Sequence, residues 1–108
     1  YPPARKMIDK GIPLALATDF NPGSSFTESM PIILSLACLR MKLTPAEAIS
    51  SATINSACAI DRGNSIGSLE KGKMADMVIW NAKNYKEIPY HYGVNLVDKV
   101  IKNGEVIR

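Results

Sequence analysis

Residues 28–41 carry Met30, Ile32, Ile33, Leu34, Leu36, Ala37, Cys38, Leu39 and Met41, a helical pattern that is apolar nearly all round. A helix of that kind is expected to be buried on more than one face, and the remaining residues must supply its cover. The chain has 108 residues, 46% hydrophobic and 21% charged, the proportions of one soluble globular domain. That balance excludes a disordered chain and a coiled coil. The longest apolar runs are interrupted by Ser35, Arg40 and Thr44, so none reaches the roughly 18 residues of a membrane span. The net charge is +3, but the 13 Lys and Arg are scattered and aromatic residues make up only 6%, which argues against a nucleic-acid partner.

Ahead of that helix, residues 12–17 form a short apolar run of a length suited to a buried strand of a parallel sheet. The run ends in Thr18 and Asp19, then Asn21, Pro22, Gly23 and Ser24 supply a dense set of turn formers, and Thr27 is the expected helix N-cap. A first, weaker helix is expected over residues 3–10, stopped by Gly11. Thr44, Pro45 and Glu47 announce another, with an N-cap, a proline in the first turn and a capping box, and a further helix is expected over residues 54–60. Beyond Gly63 the texture changes to strands and turns: residues 67–69, a strand over 75–80, and strands about Lys102, Asn103, Gly104 and Glu105, where Asn-Gly is a strong hairpin signal. The expected division is a helical part, residues 1–63, and a strand-rich part, residues 64–108.

Asp19 is the residue most suited to chemistry. An acidic side chain at the C-terminal end of a buried parallel strand stands where α/β sheets and barrels gather their ligands, as a metal ligand or general base. The competing reading is an Asx cap of the turn that follows Asp19. Asn21, Gly23 and Ser24 share the loop, and their backbone N–H groups and short side chains suit a carboxylate or phosphate, or a plain turn. His91 is the only histidine, and Cys38 and Cys58 read as buried free thiols in a reducing compartment. A hydrolytic zinc site takes about three protein ligands, and this chain cannot assemble them alone. No Ser lies in a G-x-S-x-G context, and Lys71, Gly72 and Lys73 lack the spacing of a phosphate loop. The first residues carry neither a signal-peptide nor a transit pattern, so export is not expected, and the chain, which begins at Tyr1 rather than Met, is expected to be processed or a piece of a longer protein.

The run Leu14 to Ser24, including Thr18, Asp19, Asn21, Pro22, Gly23 and Ser24, followed by the apolar helix and by Leu43, Thr44, Pro45, Ala46 and Glu47, resembles the C-terminal part of the imidazolonepropionase family of the amidohydrolase superfamily. The stretch from Gly67 through Asp76 to Trp80 is similar to the return of many amidohydrolases to their small β-domain. Pro89, Tyr90, His91, Tyr92, Gly93, Val94 and Asn95 are similar to a segment near the end of imidazolonepropionases. The resemblance covers nearly the whole chain. It implies an α/β fold: a C-terminal fragment of a metal-dependent (β/α)8 barrel, with the last barrel strand and its helices, plus part of an attached β-sandwich. It implies Asp19 as catalytic carboxylate and metal ligand, and Asn21, Gly23 and Ser24 as substrate-binding residues. The implied reaction is hydrolysis of the cyclic amide 4-imidazolone-5-propanoate to N-formimidoyl-L-glutamate, with zinc or iron. The histidine ligands of the family would lie upstream of Tyr1, so the fragment alone is expected to be inactive and metal-free, cytoplasmic, and self-associated through its apolar helix as a homo-oligomer. The alternatives are a piece of another amidohydrolase, a cyclic amidase or nucleobase deaminase, or a non-catalytic binding or assembly module.

Overall fold

The computed structural model describes residues 1–108. Four helices come first: α1 (Ala4–Asp9), α2 (Met30–Arg40), α3 (Pro45–Ala52) and α4 (Ile54–Ala59). Strand β1 (Met77–Trp80), the short helix α5 (Glu87–Tyr90), and strands β2 (Val97–Lys102) and β3 (Glu105–Val106) follow. Helix α2 packs against α3 and α5, and α3 against α4. Their shared core is Ala4, Leu34, Ala37, Leu43, Ala48 and Ile88, with Leu14, Leu16 and Trp80 packed at its edge.

The apolar run over residues 12–17 forms no strand. A strand needs a neighbour to complete its ladder, and no other segment of this chain runs alongside it. Its backbone is held at its start, where the Ile12 N–H donates to Met7 O (3.0 Å), and at Leu16, whose N–H donates to Ser51 O (3.1 Å) and Ser56 Oγ (3.2 Å). Ser56 Oγ lies 2.9 Å from Leu16 O and 2.6 Å from Ser51 O, so one hydroxyl proton serves two carbonyls.

Helix α2 begins later than the sequence suggests. Thr27 is not its cap: Thr27 Oγ1 accepts from Ser29 N (3.2 Å) in a turn before the helix, and Ser29 takes the cap position with no side-chain bond. Pro31 in the first turn has no N–H to leave unsatisfied, which lowers the need for a cap. Nor is the helix buried all round. Leu34, Ser35 and Ala37 are buried, but Leu39 is 66% exposed. Ser35, the polar residue within the apolar pattern, places Oγ 3.2 Å from Pro31 O and 2.8 Å from Pro89 O, tying α2 to α5 inside the core. Cys38 is only half-buried, and Cys58 is exposed rather than buried, because its short helix packs through Ala57.

Helix α3 starts as its sequence dictates. Thr44 Oγ1 accepts from Glu47 N (3.2 Å) and Glu47 Oε2 accepts from Thr44 N (2.9 Å), a complete capping box. The same carboxylate receives a two-pronged bond from Arg5 of α1, at 2.8 and 3.0 Å, and Arg5 also meets Asp9. The Arg5 guanidinium, then the Thr44 backbone N–H, lower the Glu47 pKa from 4.5 to about 2.

The three strands form one antiparallel sheet in the order β1-β2-β3, with a bulge where Ile79 pairs with Lys99 and Trp80 with Val97. Asn103 (φ 51°) and Gly104 (φ 82°) make the tight turn between β2 and β3. Asp76 clamps it, accepting from Lys102 Nζ (2.7 Å) and Asn103 N (2.8 Å), and these donors hold its carboxyl below the usual range. Residues 67–69, expected as strand, form none: Gly67 and Ser68 lie in a bend and Leu69 is irregular. Val78 and Ile79 alternate in direction and are both exposed (42% and 44%), so neither face of the sheet is sealed.

Two consequences can be measured. Ser35→Ala leaves the buried Pro89 carbonyl without its donor and should cost about 1–2 kcal/mol of stability, read as a lower urea midpoint; an unchanged midpoint would show that the α2–α5 bond contributes nothing. Because the folded pKa of Glu47 lies below its unfolded value, its contribution is present above pH 4.5 and is lost as pH falls toward about 2. Thermal unfolding followed from pH 5 to pH 2 should therefore fall less steeply for Glu47→Gln, which starts less stable at pH 5.

Candidate functional site

Asp19 stands at the end of the segment held through Leu16, at the entrance to the Asn-Pro-Gly-Ser loop. Its backbone is left-handed (φ 50°), a region that Asp tolerates better than most residues. Its side chain is exposed and accepts no hydrogen bond from the chain. The cap reading of Asp19 is thus corrected: the turn is capped by Asn21. Asn21 Oδ1 accepts from Gly23 N (2.8 Å) and Ser24 N (2.8 Å), and these contacts also set which end of the amide is oxygen.

Asn21 Nδ2 donates to Asp19 O (2.7 Å) and lies 3.3 Å from Ser24 Oγ. The Asn21 N–H donates to Ser25 O (2.9 Å), and Ser25 Oγ donates to Thr18 O (2.7 Å), closing the loop on itself. The Phe20 and Phe26 rings, 5.1 Å apart, flank this closure. Space at Gly23 is tight: a Cβ there would meet Asn21 Oδ1 at 3.2 Å.

The structure therefore brings Asp19, Asn21, Gly23 and Ser24 into one loop, but it spends the Gly23 and Ser24 amides on Asn21 instead of leaving them for an anion. The Asp19 carboxylate is left exposed and unbonded, while the Ser24 hydroxyl lies against the Asn21 side chain, 3.3 Å from Nδ2 and 3.4 Å from Oδ1. The loop also ends short of the helix, since α2 starts at Met30. Ser25 was not apparent as a site residue; the only sequence signal is a second serine after a turn that already contains one.

Other polar groups lie elsewhere. His91 is exposed just after α5, its ring edge-on to Tyr90, and Lys73 is engaged by Ser68 (2.6 Å) and Glu70 (3.0 Å). Burial, then the nearby Glu47, raise the Cys38 pKa, which keeps the thiol protonated. No three His, Cys, Asp or Glu side chains converge anywhere in the chain. With Asp19 as a lone carboxylate, the donor set does not by itself fit a metal that takes three or four protein ligands. A groove of about 380 Å³ among Ile8, Leu14, Glu47 and Asn55 does not include Asp19.

The sequence profile of the amidohydrolase family matches residues 1–107. The chain belongs to the amidohydrolase family. It is 57% identical over 107 residues to the imidazolonepropionase of Alkaliphilus metalliredigens, covering 99% of this chain and 25% of that protein. It is 60% identical over 104 residues to the imidazolonepropionase of Geobacillus thermodenitrificans, covering 96% of this chain and 24% of that protein. The family and the relatives agree with the resemblance drawn from residues 14–24, 67–80 and 89–95. This amidohydrolase chain spans about a quarter of the length of the relatives it matches. In fold it is similar to the amidohydrolase from Thermotoga maritima (TM-score 0.74, 21% identity, 97% of this chain and 25% of that one). It is also similar to E. coli guanine deaminase (TM-score 0.73, 21% identity, 96% of this chain and 29% of that one). No helix is long and apolar enough to cross a membrane.

Asn21→Ala removes the acceptor of two loop amides. Hydrogen exchange at Gly23 and Ser24 should rise about tenfold, as expected for loss of one hydrogen bond's worth of protection, while exchange in α3 stays unchanged. Equal rates in the loop would mean that the turn stands without Asn21.

Proposed function

We propose that this chain is the part of an imidazolonepropionase that carries Asp19 and one wall of the substrate pocket. The observation that carries the reading is 57–60% identity to imidazolonepropionases across nearly the whole chain. In this reading residues 1–63 are the last strand of a (β/α)8 barrel with its helices, and residues 64–108 are part of the attached β-sandwich. The unladdered run over residues 12–17 and the unsealed sheet support it, because both are surfaces that further chain would cover. So does the degree of burial: only 10 of 108 residues are buried, few for a chain of this length.

The proposed reaction opens the cyclic amide of 4-imidazolone-5-propanoate with water to give N-formimidoyl-L-glutamate. Asp19 is the general base. Its carboxylate has no competing donor within the chain, so it can take a proton from water as the oxygen adds to the ring carbonyl carbon. The ring C–N bond then breaks, and the proton passes to the departing nitrogen. Asn21, Gly23 and Ser24 line the pocket beside the substrate ring and carboxylate in this reading, with Asn21 doing so while its amide holds the turn. Zinc or iron is the metal this reading implies, with Asp19 as the one ligand from this chain and the others outside residues 1–108.

The partner of the site is a small molecule, and the compartment proposed is the cytoplasm. Expressed alone, residues 1–108 are proposed to be inactive and to self-associate through exposed apolar side chains such as Leu39, Phe20 and Phe26.

The test uses the natural full-length polypeptide that contains these residues. It should hydrolyse imidazolonepropionate, and Asp19→Ala should lose about 10²–10⁴-fold in kcat, the range of a general base, with an unchanged thermal midpoint. Full activity in the variant, or none in the parent, would overturn the proposal.

A further inference from the structure

The two peptide groups flanking Asp19 are both held by side chains from its own loop. The peptide joining Thr18 to Asp19 is held through Thr18 O, which accepts from Ser25 Oγ at 2.7 Å. The peptide joining Asp19 to Phe20 is held through Asp19 O, which accepts from Asn21 Nδ2 at 2.7 Å. Rotation about φ of Asp19 turns the first of these planes relative to the side chain, and rotation about ψ turns the second. Two short bonds therefore restrain the two soft torsions that aim the carboxylate.

The restraint matters because of where those torsions lie. A non-glycine residue at φ 50° relaxes toward the broad negative-φ basins unless its surroundings prevent it. Relaxation at Asp19 would swing Cβ and the carboxylate away from the position they now occupy, since both depart from the same Cα. Ser25 is half-buried, and the Asn21 N–H donates to its carbonyl (2.9 Å), so its backbone is fixed independently of its hydroxyl. The hydroxyl proton has no other acceptor in the chain.

We infer that Ser25 is a positioning residue for Asp19, acting through the Thr18 carbonyl, with Asn21 as its counterpart on the other side. This rests on the proposed role of Asp19 as the base. Ser25 does not touch substrate in this assignment; it fixes the angle at which Asp19 meets the attacking water. Misplacing a reacting group by about 1 Å can cost about a hundredfold in rate even when binding is intact.

The experiment compares Ser25→Ala, Ser25→Thr and Asp19→Ala in the natural full-length polypeptide, with kcat, KM and thermal midpoint measured for each. Ser25→Ala should lower kcat by about tenfold to a hundredfold and leave KM within about twofold, because ground-state binding is untouched. Ser25→Thr keeps the hydroxyl and should restore most of kcat. The inference is overturned if Ser25→Ala keeps its kcat while Asp19→Ala loses it. It is equally overturned if Ser25→Thr is as slow as Ser25→Ala at an unchanged midpoint, or if Ser25→Ala loses activity only by unfolding and Ser25→Thr does not recover it. If Asp19→Ala itself retains full turnover, it is the assignment of the base that fails.

Discussion

The hydroxyl of Ser56, set between the carbonyls of Leu16 and Ser51 and accepting the N–H of Leu16, anchors the segment that leads to the candidate base. An apolar run without a β-ladder has to satisfy its peptide groups some other way, since buried, unpaired backbone groups cost free energy comparable to a lost hydrogen bond. Here α3 and α4 supply the partners. The position of α3 depends in turn on the capping box and on the two-pronged Arg5 contact, which joins α1 to the first turn of α3 through one carboxylate. Helix packing thus reaches Asp19 through a short series of bonds: Arg5 to Glu47, α3 to Ser51, Ser51 and Ser56 to Leu16, and then along the chain to residue 19.

The features legible in the sequence are those decided within a few residues. Thr44, Pro45 and Glu47 define a helix start because both capping bonds close over three residues. Asn103 and Gly104 define a hairpin because both adopt the positive φ its tight turn requires. What could not be read depended on distant partners. The run over residues 12–17 has strand composition, but a strand is completed by its neighbour, and the partners it finds are serines about forty residues away. Helix α5 has four residues including Pro89, too short to show a period, and it is fixed by a bond from Ser35 in α2. Leu39 extends the apolar pattern of α2 onto a face with nothing packed over it.

The same division holds within the candidate site. That Asp19 follows an apolar run and precedes a turn-rich loop is visible in the residues alone, and so is the grouping of Asn21, Gly23 and Ser24. The distribution of roles is not. Asp19 and Asn21 have similar side chains, and either can cap a turn; only the fold shows that Asn21 takes both amides and leaves the Asp19 carboxylate free. The amide has an advantage here, because it accepts through Oδ1 and donates through Nδ2, so it can cap Gly23 and Ser24 while holding Asp19 O. A carboxylate at position 21 could do only the first, and would place a second negative charge beside Asp19.

A left-handed, non-glycine backbone costs on the order of 1–3 kcal/mol and persists only where its surroundings over-determine it. The two side-chain bonds at Thr18 O and Asp19 O contribute about 0.5–1.5 kcal/mol each, which is the right size to offset such strain. Because those bonds reach only the backbone, they restrain the direction of the side chain without occupying its oxygens. A general base needs both conditions at once: a fixed direction, so that the proton lies within reach, and free lone pairs to receive it. Salt bridges of the kind that hold Glu47 and Asp76 would give Asp19 the first condition at the expense of the second, since they use the carboxylate itself. The three carboxylates thus separate into two that bind the fold together and one whose chemistry the fold leaves available.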